Sequence, residues 1–228
     1  MVERHFDDEL ARLDDGLLKM AALVENAIQK AIEALKNQNK NTAQEVIDKD
    51  KKIDALELEI EQKAIEMLAL YQPIARDLRF VLTTGVKLNA ELERIADLAV
   101  NVAQRVQEIA DQPLIKPLID IPKLADLARS MVKDAIDAYV KRDQELARKV
   151  ILRDTEADKI RNMICDELIY DYMAKDVTIA PRAVPLFLVA RHLERICDHA
   201  TYIAEDVIYM VKAKVVKHHT EELDKNGS

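Results

Sequence analysis

Glu93-Arg94-Ile95-Ala96-Asp97 and Glu194-Arg195-Ile196-Cys197-Asp198 are two copies of one pentapeptide. In each copy a Glu and an Asp stand four residues apart. On an α-helix that spacing places both side chains on one face, about one turn apart. Like charges so placed repel by roughly a few tenths of a kcal/mol. A helix that does this twice, beside an apolar stripe, calls for a reason. A bound cation supplies one, because grouped carboxylates suit hard cations.

The pentapeptides belong to a larger duplication. AIEAL at 31–35 returns as AIDAY at 135–139, an offset of 104, and the same offset relates Asp50 to Asp154 and Asp54 to Asp158. The offset between the two pentapeptides is 101, consistent with a short deletion in the second copy. Apolar residues recur at helical spacing almost throughout. Helices are predicted over about 3–38, 42–71, 75–110, 122–142, 143–174 and 181–216. Thr42 is the expected cap of the second, with Glu45 as capping-box partner, and Pro73 ends that helix. Half of the six prolines fall between Asp111 and Pro122, which marks a boundary. The predicted fold is all-α, two tandem three-helix bundles: residues 1–111, a linker at 112–121, residues 122–216, and a polar tail at 217–228.

Composition excludes much else. The chain has 228 residues with only three Gly, no Trp and a net charge of −8. Few glycines argue against a turn-rich β fold, and the acidic balance argues against nucleic acid as a partner. No stretch approaches the roughly 18 apolar residues of a membrane span. Cys165 and Cys197 read as buried small hydrophobes and not as a disulfide framework. These features suggest a soluble protein of a reducing compartment. The five His form no Glu-x-x-His pair of the kind that di-iron bundles use, and neither a phosphate loop nor a nucleophile with a partnered base is present. The expected protein is not an enzyme.

On a helical wheel Asp97 and Asn101 follow Glu93 at steps of roughly 40°. Leu92, Ala99 and Ala103 form the apolar stripe, and Ala96 keeps its border open. The second copy repeats this with Leu193, Ala200, Ala204 and Cys197. Antiparallel packing of the second and third helices brings Asp50 and Asp54 level with Glu93, Asp97 and Asn101. Asp154 and Asp158 stand likewise to Glu194 and Asp198. An oxygen-only set suits Mg²⁺, Mn²⁺ or Ca²⁺, with iron also accessible. The competing reading is that these acids are solvated faces of a metal-free scaffold. Arg94 and Arg195 fit equally as groups steadying the ligands and as surface ion-pair partners.

With its paired Glu-Arg-Ile-x-Asp motifs, QPIARDLR at 72–79 and AELERIAD at 90–97, the chain resembles the PhoU family over roughly residues 6–211. The usual glycine of the motif is here Ala96 and Cys197, both small. The second half has TIAPRAV at 178–184 in place of a DLR, so the two sites are expected to be unequal. The resemblance implies a cytoplasmic, homodimeric regulator. It would act with an ABC phosphate transporter's ATPase subunit and a sensor histidine kinase, restraining uptake and the starvation response. It also implies multinuclear metal on the acidic stripes, with Mg, Mn, Fe and Zn all open. Arg79 of the DLR, with Arg94 and Arg195, would support the ligands or meet partners. An accessory protein of another phosphate channel remains the neighbouring alternative.

Overall fold

A computed structural model describes residues 2–213. Six long helices are seen: α1 (Val2–Lys36), α2 (Lys40–Tyr71), α3, α4 (Asp120–Lys141), α5 and α6 (Ala180–Lys212). Helix α3 runs as Ala75–Leu82, a π-helical turn Thr83–Leu88, and Asn89–Ile109. Helix α5 runs as Gln144–Asp166 and continues through a π-helical stretch, Glu167–Met173. A 3₁₀ turn, Val177–Ile179, leads into α6. The tail expected at 217–228, and Val216 as a helix end, lie outside the described residues.

The first two helices of each repeat are joined by the same turn. Gln38 and Arg142, 104 residues apart, both take the left-handed conformation, with φ of 49° and 53°. Asn39 and Asp143 follow in extended conformation and cap α2 and α5. The Asn39 side-chain oxygen accepts from the backbone N–H of Asn41 and Thr42 at 2.9 and 3.1 Å. Asp143 accepts from Glu145 and Leu146 at 2.9 and 3.0 Å. The cap is therefore Asn39 and not Thr42, which lies inside the first turn. Of the two, only Asn39 has the extended backbone that lets its side chain reach back to orphan donors. Replacing Asn39 by Ala should cost about 1 kcal/mol, read as a lower urea midpoint with an unchanged slope.

The helices of each repeat pack on one another, and the two repeats pack together through α3 against α6 and α1 against α4. Buried aliphatic residues from all six helices form one continuous cluster, from Leu13 and Leu17 through Leu92 and Ile95 to Leu124, Leu193 and Ile196. Helices α3 and α6 run antiparallel, as two cross-ties show. Lys87 donates to Asp206 at 2.7 Å, and His199 Nδ1 lies 2.6 Å from Glu91 Oε2. The buried Tyr139 of α4 donates to Asp14 of α1, and its hydroxyl lies 2.9 Å from that of Thr84 in the α3 π-turn.

The Pro-rich stretch between the repeats is fastened down. Lys116 is buried and pairs with Glu167, Arg182 donates to the Pro113 carbonyl at 3.1 Å, and Gln38 donates to the Gln112 carbonyl at 2.7 Å. Among the described residues, no helix is long and apolar enough to cross a membrane.

Candidate functional site

The helical wheel holds in three dimensions. Leu92, Ala96, Ala99 and Ala103 are buried along α3, and Glu93 and Asp97 lie half-buried at their edge. Along α6, Leu193, Cys197, Ala200 and Ala204 are buried, with Glu194 and Asp198 at the edge. Antiparallel packing of α2 on α3 is pinned by Asn89 donating to the Glu57 carbonyl at 2.9 Å and Gln107 donating to the Lys40 carbonyl at 2.8 Å.

On the first face α2 and α3 bring Asp50, Asp54, Glu93 and Asp97 within electrostatic reach of one another. Partial burial, reinforced by Asp54 and Asp97, pushes the Asp50 carboxyl up to about 6. Its Oδ1 is buried without a hydrogen-bond partner. Burial and Asp97 raise Glu93, against a smaller opposing pull from Arg94. Glu57 is raised as well, by burial and then by Glu61 and Asp54. Asn101, one turn beyond Asp97, is half-buried and bonds to none of these acids among the described residues.

The second face is built alike but filled differently. Burial, then Glu194, Asp154 and Asp158, push Asp198 up to about 6. Asp154 is raised by burial and by Asp158 and Glu194. Here Thr201 stands 3.5 Å from Asp154 Oδ1, where the first repeat has Val100 beside the unpartnered Asp50. Arg161 of α5 donates to both Asp158 and Glu194, each at 2.9 Å. Motif reading passed over Arg161. The offset of 104 could have found it, because it aligns Arg161 with Glu57. One exchange thus sets a fifth carboxylate on the first face against a bridging guanidinium on the second.

The three arginines singled out by motif go different ways. Arg94 lies 3.6 Å from Glu93 and Asp97, largely exposed, as a weak surface partner. Arg195 is exposed, and the guanidinium that reaches Glu194 is that of Arg161. Arg79 lines a separate concavity near the start of α3. Cys197 is buried and its thiol is pushed far up, chiefly by burial, so it packs and does not react. His192 is pushed down to about 4 by burial and by Arg105, Arg195 and Arg191, which keeps it neutral at pH 7.

Among the described residues, no three His, Cys, Asp or Glu side chains are gathered tightly enough to hold a metal ion as they stand. The donor chemistry nevertheless fits hard cations. Mutually repelling carboxylates project from two helices, and one buried oxygen among them is unpartnered. Side-chain rotation would have to close them on an ion.

The fold and its paired acidic faces define a duplicated six-helix bundle with one carboxylate face in each repeat. Two stretches, residues 17–106 and 121–207, match the PhoU domain. A phosphate-specific transport system accessory protein PhoU homolog of Aquifex aeolicus is 42% identical over 211 residues, covering 92% of this chain and 94% of that one. The homolog of Zymomonas mobilis is 36% identical over 219 residues, covering 96% and 92%. The crystal structure of PhoU from Pseudomonas aeruginosa superposes with a TM-score of 0.88 at 32% identity, covering 92% of this chain and all of that one. That of the phosphate transport system regulatory protein PhoU from Streptococcus pneumoniae gives 0.85 at 27% identity, covering 93% and 99%. The chain belongs to the PhoU family. Its fold is the all-helical double repeat of that family, and it is a regulatory accessory protein, not an enzyme.

Proposed function

We propose that this protein is the accessory regulator of a phosphate-specific transport system. In this reading it works in the cytoplasm, as a homodimer, beside the transporter's ATPase subunit and a sensor histidine kinase. It restrains uptake and holds the starvation response off while phosphate is plentiful. The observation that carries the reading is the duplicated pair of carboxylate faces, each built from two helices of one repeat. The likeness to named phosphate-transport accessory proteins across nearly the whole chain supports it.

The faces are the metal-binding elements of this reading. Asp50, Asp54, Glu57, Glu93 and Asp97 would hold cations on the first face, and Asp154, Asp158, Glu194 and Asp198 on the second. A bound ion would relieve the repulsion among the acids and fix the faces for partner recognition. Arg161 already neutralises part of the second face, so the first is the stronger site.

Deletion of the gene should raise expression of phosphate-starvation genes in phosphate-rich medium. Unchanged expression would refute the regulatory role. Elemental analysis of the purified chain tests the metal role, and a chain that takes up no Mn²⁺, Mg²⁺, Fe or Zn would be a metal-free scaffold. Arg161→Glu gives the second face the same acid count as the first. It should raise the Mn²⁺ retained per chain after gel filtration and tighten Mn²⁺ binding by about tenfold or more, since a nearby charge contributes roughly 1 kcal/mol even in a solvated site. Unchanged Mn²⁺ uptake would mean that Arg161 is not what limits the second face.

A further inference from the structure

Away from the acidic faces, a cavity of about 400 Å³ opens where α1, the start of α3, the α4–α5 turn and the end of α6 meet. Arg76, Arg79 and Arg142 line it, together with Asp14, Asp77 and Phe80. Among the described residues, none of the three guanidiniums is paired with a carboxylate. Arg79 Nε is buried and has no hydrogen-bond partner. Arg142 is held in place by stacking, its guanidinium carbon 4.6 Å from the Phe80 ring centre and 4.5 Å from that of Tyr139. One of its nitrogens donates to the Met210 sulfur at 3.2 Å, which leaves its other donors to the cavity.

Arginine forks with free donors match the oxygens of a tetrahedral oxyanion. Arg142 is held in place before any ligand arrives. Its stack on two rings and its place in the left-handed turn leave the side chain few alternatives. The two carboxylates sharpen the choice of anion. Asp14 already accepts from the Tyr139 hydroxyl, and Asp77 is exposed in the first turn of α3. Carboxylates repel a fully deprotonated anion but accept a hydrogen bond from one that keeps a proton. Near neutral pH inorganic phosphate keeps a P–OH group, its monoesters keep one only in part, and sulfate carries none.

We infer that this cavity binds a phosphoryl oxyanion through Arg76, Arg79 and Arg142, and that Asp77 selects for its remaining proton. The site would let the regulator read phosphate directly. It is separate from the metal-binding faces, so its failure would leave their Mn²⁺ binding intact.

Calorimetry on the full chain in metal-free buffer tests it, with inorganic phosphate, phenyl phosphate and sodium sulfate as probes. Phosphate should bind saturably, and sulfate at least about tenfold more weakly, the size of one charge-assisted hydrogen bond. Arg76→Gln and Arg79→Gln should each weaken phosphate binding by about tenfold or more without changing the circular dichroism spectrum. Asp77→Asn should close most of the gap between phosphate and sulfate. Should Arg79→Gln fail to fold, Arg76→Gln and Asp77→Asn alter exposed side chains and still decide the matter. Phenyl phosphate, with a second pKa of about 6, largely lacks a P–OH group at neutral pH and should bind more weakly than phosphate; tighter binding would overturn the selection by Asp77. Absence of saturable phosphate binding would overturn the inference. So would equal binding of phosphate and sulfate that ignores the substitutions, the mark of an adventitious ion only.

Discussion

Gly85→Leu is expected to destabilise this protein by about 3 kcal/mol or more, because it forces volume into a closed contact. A Cβ on Gly85 would stand 2.3 Å from the Ala64 Cβ, and Ala64 is fully buried. Neither atom can rotate away, since backbone fixes both. The π-turn of α3 would have to unwind or α2 and α3 to part. For a chain of this length the melting temperature should fall by roughly 6–12 °C. Gly16→Ala is the control. Its Cβ would meet only the Ile60 side chain, at 3.3 Å, and a residue inside α1 gains about 1 kcal/mol of helix propensity. That variant, its propensity gain set against the push on Ile60, should melt within about 4 °C of the parent. A Gly85→Leu protein melting within about 2 °C of the parent, less than the shift for 1 kcal/mol, would mean the close contact is not made.

The second large effect changes sign with conditions. Asp50 and Asp198 both titrate near 6 in the folded chain, against about 3.9 when unfolded. Between those values the folded state binds more protons, so stability is fully present below pH 4 and lost as pH rises through 6. At pH 7 both are ionised at a cost. Asp50→Asn with Asp198→Asn should remove it, stabilising the metal-free protein by about 1 kcal/mol after allowance for solvent screening. It should also flatten the pH dependence between 4 and 6. With Mn²⁺ at a hundred times its dissociation constant the parent should gain about 2.7 kcal/mol, and the variant much less. The order of melting temperatures would then reverse. The same order with and without Mn²⁺ would show that the strain at these acids serves no cation.

Much of this was legible in the residues, and the exceptions have physical reasons. The duplicated pentapeptide and its apolar stripe located Glu93, Asp97, Glu194 and Asp198 at the edge of a buried face, because helical periodicity fixes direction. The partner acids on α2 and α5 followed from short connections, which force antiparallel neighbours. The packing of α3 against α6 did not follow, since periodicity reports which face is buried but not what buries it. The π-turns were likewise hidden: one residue of extra width leaves no mark in an apolar pattern. The cap at Asn39 was missed in favour of Thr42, although Asp143 at the repeat offset pointed to it. Arg161 was missed because motif reading compared like with like, and its counterpart is the oppositely charged Glu57.

That last exchange has a consequence for assembly. Two repeats packed antiparallel give the chain a near-twofold axis, and a perfect axis would let a partner dock in either of two equivalent orientations. With Glu57 on one side and Arg161 on the other, this one exchange alone sets the two faces apart by two units of charge. A partner that required the richer carboxylate face would meet one such surface per chain.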